Sequence, residues 1–277
     1  TPVVEVGAAV VLAEQTLAAG ESAARSFTYY VGPKKYSSLH ALQLHQVDVM
    51  EFGDWIKPIS KLLLRVLNFI HDHVPPYNYG IAIILLTIIV RVIFWPITHK
   101  STESMKRMQQ VSPLVNAIRE KYKDNPQKQQ QEIMALYKEH KVNPLGGCLP
   151  MLIQIPVFFA LFVVLRSAIE LRFASFLWIR DLSEPENLLP GVLPFVSGLN
   201  VLPLLMALTM WLQMKLSPSA GDPAQQKMMA VMMPIMMLVF LYPYASGLAL
   251  YWTTQNALMI VQQMLMRRKS AAHPLRA

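Results

Sequence analysis

Cysteine is almost missing from this 277-residue chain. Cys148 stands alone, which excludes an internal disulfide and a cysteine metal site, and leaves it as a small apolar residue at a helix start. Charge is also scarce: 15% of residues are charged, against about a quarter in ordinary soluble domains. Inside the long apolar stretches there is no Asp or Glu at all, and Glu170 stands only at an edge. That argues against a proton-coupled transporter and an intramembrane aspartyl protease, both of which need buried carboxylates. No His accompanies a Ser within those stretches, so a serine protease has no support. His71-Asp72-His73 has no third ligand nearby and carries only a weak metal signal. There is no phosphate loop. The chain reads as no enzyme, without cofactor, metal or catalytic residues.

What is present is apolar and arranged in long blocks. Tyr79–Ile97, Leu149–Ile169, Phe195–Leu216 and Met228–Met266 are nearly free of charge. Tyr242-Pro243-Tyr244-Ala245-Ser246-Gly247 interrupts the last block and allows a tight reversal, so it divides into two helices. Five segments approach the roughly 17–25 apolar residues that a spanning helix needs. Met228–Pro243 is short, which implies tilt or local thinning of the bilayer. The net charge is +8, and nine Lys and Arg fall in 99–147, with Arg267, Arg268, Lys269 and Arg276 in the tail. The 170–194 loop holds only Arg172 and Arg180, among four acids. The positive-inside bias therefore puts 99–147, 217–227 and 267–277 in the cytoplasm. Direct nucleic-acid readout is disfavoured by the interleaved spans, although the basic tail suits a ribosome contact.

Residues 1–50 differ from the rest. Gly7–Glu14 and Ser26–Val31 read as short strands, with Phe27, Tyr29 and Val31 alternating on one face. Two strands make no core of their own, so 1–50 is expected to be the remnant of a periplasmic β-rich domain. An amphipathic helix follows within 53–76, where Ile56, Ile59, Leu63, Val66 and Ile70 recur at helical spacing. Its apolar stripe is expected to face lipid tails at the membrane interface. The transmembrane core is assigned to 77–266. Within it, 99–147 reads as a helical hairpin: Asn125 caps and Pro126 opens the return helix, while Pro113 should kink or break the first. The tail is 267–277. The fold class is an all-α polytopic membrane protein with a five-helix core, a cytoplasmic hairpin and a small β remnant.

Arg91 is the most informative residue. It lies about two-thirds of the way along the first span, where a charge costs about 2.5–3.5 kcal/mol at the helix centre on insertion scales. It must either snorkel to the interface or face a wet interior. Thr87 and Thr98 share its helical face. Trp252, Gln255, Asn256, Met259 and Gln263 form a stripe in the last span, with Gln154 and Gln213 in the second and third. Together these favour a shared polar groove, although helix–helix hydrogen bonding explains each amide taken alone. Six methionines crowd Met228–Met237 and suit a surface that accepts varied apolar partners. Met232, Met233 and Met236, with Phe158 and Phe159, are the candidate slide for a hydrophobic segment.

Several stretches resemble the YidC membrane protein insertases. Val142-Asn143-Pro144-Leu145-Gly146-Gly147-Cys148-Leu149-Pro150-Met151-Leu152-Ile153-Gln154-Ile155-Pro156 is similar to that family's loop-to-helix signature. Trp95-Pro96-Ile97-Thr98, Glu132 with Met134-Ala135-Leu136-Tyr137-Lys138, Asp222-Pro223, Gln225-Gln226-Lys227, Ser246-Gly247-Leu248 and Tyr251-Trp252 also match, in order, over about 26–268. The resemblance implies a bacterial inner-membrane insertase of the Gram-negative type, N-terminally truncated. It also implies a groove open to cytoplasm and lipid and closed outside. It makes Arg91 the positive groove residue, lined by Thr87, Gln154, Trp252 and Asn256, with Tyr251 and Trp252 touching clients; Thr98 and Gln255 join the candidate groove by helical spacing. The implied partners are nascent membrane proteins, the bilayer, the ribosome, the Sec translocon, and signal recognition particle or its receptor. The hairpin and C-terminus would be cytoplasmic and the N-terminal segment periplasmic. Arg166 has no assigned role. A small-molecule transporter is the alternative, disfavoured by unequal spans without evident inverted repeats.

Overall fold

The computed structural model describes residues 11, 14–26, 30–42, 50, 53, 55–143, 146, 149–191, 198–217 and 223–272. The chain divides into two units, Thr1–Pro33 and Lys34–Ala277. In the first, Arg25 Nη2 donates to Gln15 Oε1 at 2.9 Å and the Ala18 amide to Glu21 Oε2 at 3.0 Å. The small β remnant is not seen. Most of Gly7–Glu14 and half of Ser26–Val31 lie outside the described residues, and no strand occurs among the described ones. Their β pairings are two isolated bridges, Phe176–Ile179 and Leu188–Leu199, both in the second unit.

The second unit is helical. It contains α1 (Tyr36–Ala41), α2 (Lys57–His73), α3 (Tyr79–Ile93), α4 (Trp95–Lys121), α5 (Pro126–Glu139), α6 (Leu149–Ser167), α7 (Val201–Leu216), α8 (Pro223–Leu241) and α9 (Ser246–Ala272). The break read at Tyr242–Gly247 separates α8 from α9. The first apolar block ends earlier than Ile97. Phe94 leaves helical geometry, Trp95-Pro96 restarts the helix with a proline in its first turn, and the axis bends by 65°. A proline has no amide to continue the α3 ladder but suits a new helix start. No single helix among the described residues is long and apolar enough to cross a membrane, but the bent α3–α4 pair passes the test together. At 1.5 Å per residue α7 spans roughly 24 Å, less than the roughly 30 Å hydrocarbon layer.

The apolar stripe of α2 meets protein. Leu63, Leu64, Leu67 and Ile70 are buried against α3 and α6, so the face that the sequence pointed at lipid is occupied by the core. Trp55, Leu62 and Phe69 are the large apolar residues of this segment left exposed. Arg65 Nε donates to the Tyr36 hydroxyl at 2.9 Å, and the Tyr36 amide to Glu170 Oε1 at 3.2 Å, which ties α1 to α2 and to the end of α6. The helix–turn–helix of α4 and α5 is capped as read: Asn125 Oδ1 accepts from the Lys128 amide at 3.1 Å. Pro113 does not break α4, which continues through it to Lys121. Losing one amide donor leaves most of a 27-residue ladder intact. Lys106 Nζ reaches the Met266 carbonyl at 3.0 Å, joining α4 to the last turns of α9.

One end of the bundle is stitched by the loop between α6 and α7. Asn78 caps α3 by accepting from the Gly80 amide and donates to the Ser175 carbonyl at 2.7 Å. Glu186 accepts from the Val201 and Leu202 amides at 3.1 and 2.6 Å, placing an anion at the start of α7. The Ser246 and Gly247 amides, at the start of α9, donate to Glu184 and Leu182 carbonyls at 2.9 Å each. Asp181 braces the loop. Burial opposes its charge, but bonds from the Ser183 hydroxyl and from the Phe173 and Ser183 amides, with Arg172 nearby, hold it below the usual carboxylate range.

Gly80 lets the loop close on α3, since a Cβ there would lie 2.2 Å from Phe176 Cγ. Gly80→Ala is expected to destabilise the protein by about 1–3 kcal/mol through overpacking, read as thermal unfolding in detergent. Adding Phe176→Ala should recover only part of this loss, because Phe176 Cβ, 2.6 Å from the added methyl, remains.

Candidate functional site

The interior between α3, α6 and α9 is polar where its surroundings are apolar. Arg91, in the last turn of α3, is only 7% exposed. Its Nη2 donates to Gln262 Oε1 on α9 at 2.5 Å, while its Nε has no partner among the described residues. Gln262 is 2% exposed, and its Nε2 is likewise unpartnered. Neither ion pair found among the described residues, His71–Asp72 or Arg107–Glu103, includes Arg91. The guanidinium turns into the bundle rather than snorkelling out of it, and an amide, not a carboxylate, receives it.

A second polar chain lies on the same face of α9. Gln154 Nε2 on α6 donates to the Tyr251 hydroxyl, and Gln255 Nε2 donates to Gln154 Oε1 at 3.1 Å. Tyr251, Gln255 and Gln262 fall within about 40° of one another around a helix that turns about 100° per residue. The stripe read from the sequence therefore divides in two. Asn256 faces α7, where its Nδ2 lies 3.3 Å from both the Met206 carbonyl and Thr209 Oγ1. Gln263 also faces α7, donating to Ser217 Oγ at 2.7 Å, and Ser217 in turn bonds Gln213. These are helix–helix contacts on a different face of α9, about 100° around from the Arg91 side.

The remaining candidates are placed as follows. Thr87 and Thr98 are buried, but their hydroxyls donate within the chain's own turns, to Ile83 O at 2.7 Å and to Phe94 O at 3.0 Å. Neither hydroxyl bonds Arg91. Trp252 is half-buried and meets Phe158 edge-on, with ring centroids 4.8 Å apart. Phe158 is packed among Phe159, Phe162 and Trp252, whereas Phe159 is exposed. On α8, Met232 and Met236 are exposed and Met233 is half-buried, beside exposed Met228, Met229, Ile235, Val239 and Phe240. A depression of about 650 Å³ on α5, lined by Gln127, Gln130, Gln131, Met134, Ala135 and Lys138, shares no residue with the Arg91 cluster. No group of three or more metal-binding side chains exists among the described residues.

Gln262 was not among the sequence candidates. The signal was available, since it lies seven residues after Gln255 and eleven after Tyr251. The neighbouring Gln263 fits the Trp252, Asn256 and Met259 spacing better.

Comparison with known proteins decides the family. The 60Kd inner membrane protein family model matches residues 69–273. The chain belongs to this family. Family membership makes it an inner-membrane protein and agrees with the YidC resemblance of its motifs. The membrane protein insertase YidC of Syntrophobacter fumaroxidans is 46% identical over 254 residues, covering 91% of this chain and 45% of that protein. The YidC of Pelobacter propionicus is 46% identical over 256 residues, covering 91% and 46%. The chain thus spans about half the length of these curated relatives. A crystal structure of an active YidC insertase with its first transmembrane domain resolved superposes with a TM-score of 0.58 at 29% identity. It covers 82% of this chain and 50% of the other. Tyr251 and Gln154, which lie in two of the stretches that resemble YidC, are joined by a hydrogen bond.

Removing either end of that bond tests whether it couples α6 to α9. Tyr251→Phe and Gln154→Leu are each expected to cost about 1 kcal/mol, with a coupling of similar size in a double-mutant cycle on unfolding.

Proposed function

We propose that this protein is a membrane protein insertase: it receives polar segments of nascent membrane proteins in the Arg91 interior and releases their hydrophobic helices into lipid. The observation that carries this reading is a buried, permanently charged guanidinium that no carboxylate among the described residues neutralises. Such a group is costly in a membrane and suits the transient docking of a polar or acidic client segment. The stitched loop end supports a polar interior closed on one side, which the positive-inside pattern makes the periplasmic side. The α4–α5 hairpin and the basic tail then lie in the cytoplasm, where ribosome, Sec translocon, or signal recognition particle and its receptor would meet them.

Five helices, α3 and α6 to α9, form the membrane core in this reading, and their modest lengths thin the bilayer locally. The exposed methionines of α8 and Phe159 of α6 give the departing helix an apolar surface that adapts to varied side chains. Thr87, Thr98, Tyr251, Trp252, Gln154 and Gln255 line or support the polar interior, while Asn256 braces α9 on α7. Burial of the client's apolar surface in lipid supplies the driving force, so no nucleotide or covalent step is invoked. The domain limits 53–76, 77–266 and 267–277 follow as the interface-side helix, the insertase core and the basic tail.

The test is reconstitution in liposomes with a single-span client whose translocated tail is acidic, scored by protease protection. Wild type and Arg91→Lys are expected to insert it, and Arg91→Ala to lose about tenfold or more, the scale of a hydrogen bond to a charged group. Insertion no better than empty liposomes by the folded wild type would defeat the proposal.

A further inference from the structure

We infer that Gln262 is a positioning residue for Arg91 and the second donor of a two-point carboxylate site. The inference rests on the insertase reading and names a residue that sets which client tails the interior prefers. Gln262 Oε1 receives Arg91 Nη2 and fixes the guanidinium across the α3–α9 gap. The two buried atoms left without partners there, Arg91 Nε and Gln262 Nε2, are both N–H donors. They belong to side chains 7% and 2% exposed, each more than nine-tenths buried. Nε2 shares its carbon with the Oε1 that Arg91 already touches, so the two free donors lie close together. A carboxylate offers two oxygens and only accepts; a primary amide offers one acceptor and brings its own donors. Two adjacent donors with no free acceptor therefore match an Asp or Glu side chain better than an Asn or Gln.

The amide at 262 also solves a charge problem. A Glu in its place would pair with Arg91 permanently and cancel the attraction, whereas Gln orients the guanidinium and leaves its charge in force. Arg91 is thereby held ready for an anion that arrives with the client and departs with it.

Two clients differing only by Asp or Asn in the translocated tail are compared in proteoliposomes, with the protease-protected fraction followed over time. Wild type is expected to insert the Asp client several-fold faster than the Asn client. Gln262→Glu should reduce the Asp client about tenfold, as charge-assisted bonding is lost, and leave the Asn client near the wild-type rate. Gln262→Met, similar in length but without donors, should remove the Asp preference to a lesser degree. Unchanged preference in both variants would overturn the inference, as would an equal fall for both clients, which is the mark of a purely structural role. A folded wild type that inserts neither client defeats the insertase reading and this inference together, whereas wild-type insertion with an unaltered Gln262 phenotype defeats this inference alone.

Discussion

A guanidinium keeps its proton, so Arg91 cannot escape the cost of burial by becoming neutral. The polar interior is organised around that constraint. Gln262 on α9 must lie opposite Arg91 on α3, and α9 must cross the bundle at the angle and height that allow it. The same face of α9 then presents Tyr251 and Gln255 to Gln154 on α6. Three helices are thereby locked around polar groups, while Leu86, Leu161, Leu165, Leu248 and Tyr251's ring supply the apolar packing about them. An apolar residue at 91 would pack α3 at lower cost.

The two ends of the bundle are built differently. At one, Gly80, Asn78, Glu184 and Glu186 bind the helix starts to a bonded loop with Phe176 pressed onto α3. At the other, α4 turns away by 65° and continues into a charged hairpin. The exteriors of α7 and α8, rich in exposed Leu and Met, surround a largely apolar core in which the polar side chains between α3, α6 and α9 are the exception.

Much of this was legible in the sequence because it depends on local chemistry. Apolar blocks, the Tyr242–Gly247 reversal, the Asn125-Pro126 helix start and the isolated Arg91 are signals a few residues long. What was not legible depends on which way a helix turns in three dimensions. Gln255 and Asn256 are neighbours in sequence but point about 100° apart around α9, one to α6 and the other to α7, and Gln262 stood apart from Gln263 only once α3 was in place. The stripe of α2 was correctly found, yet its destination was protein, because amphipathic periodicity is the same whether the apolar face meets lipid or a core. The early end of α3 followed from Trp95-Pro96, a signal outweighed by the apolar run that continues through Ile97. The expected strands near the N-terminus lie largely outside the described residues, and no strand occurs among the described ones.

The central claim is that a polar segment in transit meets the Arg91 face of α9 and not its α7 face. The most direct measurement places a photo-reactive side chain at Gln255 or at Asn256 in the membrane-embedded protein and maps adducts to a stalled client. Strong adducts from 255 with few from 256 are expected. Equal or stronger adducts from 256 would contradict the placement of the path between α3, α6 and α9.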